Sequence, residues 1–146
     1  MENFEVLYKL FLGGAFGALI GIERSFFKKQ AGLRTFALVG LGATLFSVLA
    51  THFGIEGSSR ILSNIVVGIG FIGAGLIFYH SEKLTGVTTA SALWITAAIG
   101  ASVGQGLYLE SFFVTIFTII ILTVLPFFEE KICQNEISRN EISREE

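Results

Sequence analysis

The sequence is poor in charge, and it has one cysteine and one proline. Charged residues make up 15% of the 146 residues, whereas ordinary soluble domains carry about 25%. This deficit, the long uncharged runs and a mean hydropathy of +0.71 indicate a polytopic membrane protein. The single Cys133 excludes an internal disulfide and a metal site built on paired cysteines. A net charge of −2 argues against nucleic acid as a partner.

The residue patterns of an enzyme are also missing. No Ser/His/Asp, Cys/His or paired-carboxylate arrangement stands out, so we predict no catalytic site and no cofactor. The first apolar run lacks a basic start and leads into further runs, so we expect no cleaved signal peptide.

The longest uncharged stretch covers residues 61–79, between Arg60 and His80. A helix of that length crosses a hydrocarbon layer of about 30 Å. We predict that it forms the central helix of a small bundle, in which its glycines let other helices approach closely. These glycines also match G-x-G-x-x-G, but no strand signal precedes them, so dinucleotide binding is not predicted.

Hydropathy predicts an all-α fold of five transmembrane helices in residues 1–128. The predicted spans are residues 7–22, 35–53, 61–79, 87–103 and 111–128. Residues 129–146 form a short polar tail that contains NEISR twice, and this five-residue period predicts a frayed helix or disorder.

Basic residues predict the orientation of the bundle. Eight of the ten Lys and Arg residues fall after spans one, three and five, and two fall on the other side. Because Lys and Arg concentrate in cytoplasmic loops, we expect the N-terminus outside and the C-terminus in the cytoplasm.

Two sets of glycines are predicted to mediate helix packing. The first set is spaced by four in span one, and the second lies in span three: Gly13, Gly17 and Gly21, then Gly68, Gly70, Gly73 and Gly75. The first set, in a chain this small, also predicts a homodimer or a higher assembly.

Polar residues at the predicted cytoplasmic end form the candidate functional cluster, because ionisable groups at membrane depth tend to be functional. The cluster consists of Glu23, Arg24, Arg34, Thr88 and Thr89. Alternatively, Glu23 pairs with Arg24 or Arg34 and only anchors the bundle. Glu23 is also the best candidate for a metal ligand. At the outer end, Arg60 and Asn64 lie one helical turn apart.

The sequence resembles the MgtC/SapB family of bacterial inner-membrane proteins. The matching segments are GALIGIER (17–24), AGLRT (31–35), VGLGATLF (39–46), SRI (59–61), VGIGFIGAGLI (67–77), GVTTASALWITAAIG (86–100) and GLY (106–108). They extend from span one beyond span four in the family's order. Departures from the usual pattern are Asn64, Thr85 and the pair Ile95-Thr96. Many relatives also carry a cytoplasmic domain after span five, and we expect this chain to lack it.

The resemblance implies five transmembrane helices, a role under magnesium limitation and, in pathogens, survival inside host cells. It implies that some members act on other membrane machinery, including the ATP synthase. The family's motif residues would correspond to Glu23, Arg24, Gly32, Arg34, Arg60, Gly68, Gly70, Gly73, Gly75, Thr88 and Thr89.

Two classes of function follow for the chain. One is a regulator that binds a membrane partner, which the glycine-lined helix faces favour. The other is a transporter of Mg²⁺ or another small ion, which needs hard oxygen ligands along a path through the membrane. We favour the regulator because Glu23 is the only acid near the predicted core.

Overall fold

The computed structural model describes the backbone of residues 2–80 and 83–145 and the side chains of residues 4–79 and 84–129. The helices are α1 (Glu2–Phe26), α2 (Leu33–Ala50), α3 (Ile55–Ala74), α4 (Val87–Gly104) and α5 (Tyr108–Glu145). Each contains a segment long and apolar enough to cross a membrane. The predicted fold of five spanning helices is therefore confirmed.

Helices α2 and α4, rather than α3, form the centre of the bundle. The buried share of the spanning segment is 39% in α2 and 50% in α4, but only 11% in α3. Along α3 only Ile69 and Gly73 are buried. The prediction that residues 61–79 form the central helix was wrong, because a run of apolar residues and glycines does not reveal which helix has neighbours on both sides.

Glycines bring the backbones of α1, α2 and α4 into direct contact. A Cβ atom added to Gly17 would lie 2.2 Å from the carbonyl oxygen of Phe36. One added to Gly40 would lie 2.3 Å from the carbonyl oxygen of Gly13, and one added to Gly100 would lie 2.3 Å from that of Gly40. Helix α2 thus has a backbone neighbour on each side, an approach that only small residues allow.

Hydroxyl groups join α2 to α4 along the same contact. Thr44 Oγ1 donates a hydrogen bond to the carbonyl oxygen of Gly100 at 2.8 Å or to that of Gly40 at 2.9 Å. Ser47 Oγ donates to the carbonyl oxygen of Ala101 at 2.7 Å. Both side chains are fully buried, so these bonds satisfy polar groups that lipid could not satisfy.

The third helix is displaced from its predicted position. It runs from Ile55 to Ala74, and the rest of the predicted span enters a two-stranded antiparallel hairpin of β1 (Phe78–His80) and β2 (Lys83–Thr85). Hydropathy alone cannot separate a short apolar strand from the end of a helix. Gly86 follows the hairpin with φ +88°, and a Cβ atom there would lie 1.9 Å from the carbonyl oxygen of Leu76.

Helix α5 continues beyond the predicted end of its span. Residues 108–145 form one helix that contains Pro126, so the tail from residue 129 has helical backbone where we predicted a frayed helix or disorder. Its content of Glu, Lys and Arg suits a helix that leaves the apolar layer.

Candidate functional site

The two charged residues that end span one form a buried ion pair. Arg24 Nε and Nη2 donate hydrogen bonds to Glu23 Oε2 and Oε1, so both carboxylate oxygens are engaged. The side chains of Arg24 and Glu23 are 3% and 9% exposed. Burial at this depth requires each charge to have a partner, and the bidentate geometry provides one.

The same guanidinium also contacts α5. Arg24 Nη2 donates a long hydrogen bond of 3.4 Å to the carbonyl oxygen of Leu122. Four residues further on stands Pro126, which has no N–H to donate back to that carbonyl. The proline therefore leaves an acceptor free inside α5, and Arg24 occupies it. This link was not predicted from the sequence, although a lone proline inside an apolar span identifies the carbonyl that it leaves unpaired.

A cavity of about 600 Å³ lies beside the pair. The end of α1, the loop to α2, the start of α4 and the middle of α5 enclose it. Its polar lining includes Arg24, Lys28, Lys29, Gln30, Thr88, Thr89, Thr123 and Glu129. The structure thus brings together three members of the predicted cluster, Arg24, Thr88 and Thr89, at one end of the bundle.

Arg34 lies away from this cavity. It is exposed and lines a separate groove of about 960 Å³ between α2 and α3. Within the side chains that the structure describes, it makes no ion pair. The neighbours Leu33 and Phe36 face Gly21 of α1, which turns Arg34 to another side of the helix. Of the two partners considered for Glu23, the structure selects Arg24.

The outer-side residues are separate from each other. Arg60 Nη2 donates to Glu56 Oε1 at 2.8 Å, and this pair is largely exposed. Asn64 is exposed and lines the groove between α2 and α3. The two residues share a helix face without a hydrogen bond between them.

The packing glycines behave differently in the two helices that carry them. The three glycines of α1 pack against α2: Gly13, Gly17 and Gly21. In α3, a Cβ atom on Gly73 would meet the Cβ of Ala90 at 3.4 Å, whereas Gly75 meets only α3 itself. A Cβ atom on Gly68 or Gly70 would have nothing within 4 Å, so a side chain at either position would meet open space rather than another described helix.

The family model of the MgtC family matches residues 10–131, a segment that holds the ion pair and every residue lining the cavity. The chain belongs to the MgtC family. No solved structure gives a significant match.

The MgtC-family relatives include YhiD of Escherichia coli K12, which is named as a candidate magnesium transporter. It is 37% identical to this chain, and the match covers 82% of this chain and 60% of YhiD. Protein MgtC of Brucella abortus is 44% identical over 74% of this chain and 47% of its own length. SrpB of Synechococcus elongatus is 36% identical over 80% of this chain and 72% of its own length. The chain thus spans about half to three fifths of the length of the first two. Together with the five spanning helices, these matches make it a multi-pass bacterial membrane protein.

Proposed function

We propose that this MgtC-family protein supports growth at low Mg²⁺ as a regulator that binds a membrane partner. The supporting observation is that both carboxylate oxygens of Glu23 accept hydrogen bonds from Arg24. The sequence has no aspartate, and the other glutamates with described side chains are exposed. A Mg²⁺ path needs free oxygen ligands, and a carboxylate held by a guanidinium is not one.

The partner would approach from the lipid, and α3 offers the surface for it. The face of α1 with Gly13, Gly17 and Gly21 is covered by α2, so it is not available to a second copy as the homodimer prediction required. Gly68 and Gly70 of α3 are open. A second copy of the chain, or another membrane protein such as the ATP synthase that the resemblance implies, could pack closely against them.

The proposal includes an orientation in the membrane. From the excess of basic residues on one side, we expect the ion pair and its cavity to lie at the cytoplasmic face. Reporter fusions after residue 130 and near Gly57 should then report opposite sides of the membrane. If both report the same side, the number of spans between them or the assignment of sides is wrong.

The function is tested by complementation at limiting Mg²⁺, with membrane abundance measured in parallel. Glu23→Gln leaves the Arg24 guanidinium with an uncompensated buried charge, so we expect loss of growth support while the protein is still inserted. Glu56→Gln is the matched control, because it removes an exposed glutamate that also pairs with an arginine. Full complementation by Glu23→Gln at normal abundance would assign the pair a purely structural role.

A second experiment separates regulation from transport, the activity in the name of YhiD. The purified protein is reconstituted in liposomes that contain a Mg²⁺-sensitive dye. The regulator proposal expects no Mg²⁺ entry above that of empty liposomes. Entry that Glu23→Gln abolishes would instead make Glu23 part of an ion path.

A further inference from the structure

The cavity beside Arg24 has the chemistry of a phosphate site, which the regulator proposal does not use. We propose that it binds the phosphate group of an anionic ligand, with the headgroup of an anionic phospholipid as the favoured source. The inference stands independently of the proposed function, because it concerns binding at the cavity rather than growth or ion flux.

Free positive charge lines the cavity. Lys28 and Lys29 are exposed there, and neither forms an ion pair with any side chain that the structure describes. Arg24 Nε and Nη2 are engaged by Glu23, whereas its Nη1 donates to no described group. Among the described side chains that line the cavity, Glu129 is the one carboxylate. Within this described part, two lysines without an ion-pair partner outweigh one carboxylate, so the cavity attracts anions.

The backbone holds these lysines over the end of α1. Lys28 has φ +51°, the left-handed conformation that usually falls to glycine after a helix. The N–H of Lys29 donates to the carbonyl oxygen of Arg24 at 2.9 Å, which folds the loop back. The Gln30 Oε1 atom lies 2.8 Å from the point that a Cβ atom would occupy if Gly86 had one. The loop is thereby placed against the start of α4.

The start of α4 supplies neutral donors. The helix has 18 residues and no side-chain cap at its N-terminus, so its first N–H groups lack intrahelical acceptors and favour an anion. Thr89 lies in this first turn, lines the cavity and is 4% exposed. Its hydroxyl adds a neutral hydrogen-bond donor to this wall of the cavity.

The remaining wall favours a lipid over a soluble phosphate. On α5, Ile121, Leu125 and Phe127 line the cavity and are 52%, 47% and 68% exposed. In a bilayer these side chains contact acyl chains. A ligand with a phosphate among the lysines and hydrocarbon along α5 fits both walls, as basic pockets between transmembrane helices fit anionic headgroups.

The test uses the full chain, delipidated in mild detergent and titrated separately with phosphatidylglycerol, phosphatidylcholine and inorganic phosphate. Binding is read by native mass spectrometry and by the shift in melting temperature. We expect phosphatidylglycerol to bind, the double variant K28Q/K29Q to weaken it about thirtyfold, and Thr89→Val to weaken it about fivefold. Arg34→Gln is the matched control, because Arg34 is an exposed cation at the same end of the bundle but outside the cavity.

Each outcome decides the proposal. Phosphatidylglycerol binding that falls in K28Q/K29Q and persists in Arg34→Gln supports the lipid source. Binding of inorganic phosphate with the same sensitivity supports the site with a soluble phosphate as its ligand. Absence of both, equal binding of phosphatidylcholine, or an equal loss in Arg34→Gln overturns the proposal, since the last two indicate unspecific association. The Thr89→Val variant keeps all the lysines, so a loss there cannot come from reduced net charge.

Discussion

Helices α2 and α3 are both rich in glycine, yet their glycines do different things. Gly40 of α2 lies between the backbones of α1 and α4, whereas a Cβ atom added to Gly68 or Gly70 of α3 would meet no described atom within 4 Å. The buried share is 39% in one spanning segment and 11% in the other. Glycine in a membrane helix therefore marks a close contact only where a neighbouring backbone is present. The open glycines of α3 are where the regulator proposal expects its partner.

The largest expected effect is at Gly40. In Gly40→Ala the new methyl group would lie 2.3 Å from the carbonyl oxygen of Gly13, and backbone on both sides cannot move aside. We expect a loss of about 3 kcal/mol, the upper part of the overpacking range, seen as low folded yield and a lowered melting temperature in detergent. Gly42→Ala is the control on the same helix, because nothing lies within 4 Å of it. If the two variants have equal folded yields and melting temperatures, the close backbone contact at Gly40 does not limit the packing of α2.

The second-largest loss of stability is expected at Gly86, which joins the hairpin after α3 to α4. Gly86→Ala combines φ +88° with a contact of 1.9 Å to the carbonyl oxygen of Leu76, and we expect a loss of about 2–3 kcal/mol. Gly106→Ala has a similar φ of +86° and open space, so it should show the backbone strain alone, about 1 kcal/mol. The difference between their melting temperatures measures the steric part.

Gly73 tests a contact of α3 with α4. A Cβ there meets that of Ala90 at 3.4 Å, so Gly73→Leu must displace Ala90 and should cost about 1–2 kcal/mol. Gly68→Leu should leave the melting temperature of the isolated protein unchanged, because its surroundings are open. If Gly68→Leu instead lowers growth support in cells without lowering abundance, a partner contacts that face.

The smallest effect concerns the hydroxyl of Thr44. Thr44→Val keeps the shape but removes the donor to the Gly100 carbonyl oxygen, and hydrogen bonds between membrane helices contribute about 0.6 kcal/mol on average. Ser63→Ala is the control in α3, because Ser63 Oγ donates only to carbonyls of its own helix. A measurable loss is expected for Thr44→Val alone, by unfolding in a denaturing detergent.

The sequence predicted the number of helices because span length and apolar content depend on local composition. It did not predict which helix is central, since that depends on which faces find neighbours. It placed Arg24, Thr88 and Thr89 at one end correctly, because the order of the spans determines that. Hydropathy does not encode how each helix is rotated about its axis. That rotation determines the partner of Glu23, the position of Arg34 outside the cavity, and the hydrogen bond to Leu122.

That hydrogen bond has a consequence for how α1 and α5 can move. Pro126 frees one carbonyl on one side of α5, and Arg24 reaches it from α1. A turn of α5 by a single residue, about 100°, would carry this acceptor away from the guanidinium and present a carbonyl that its own helix already uses. The proline therefore favours one angular position of α5 about its axis, and sliding or rotation of that helix requires Arg24 to give up this acceptor.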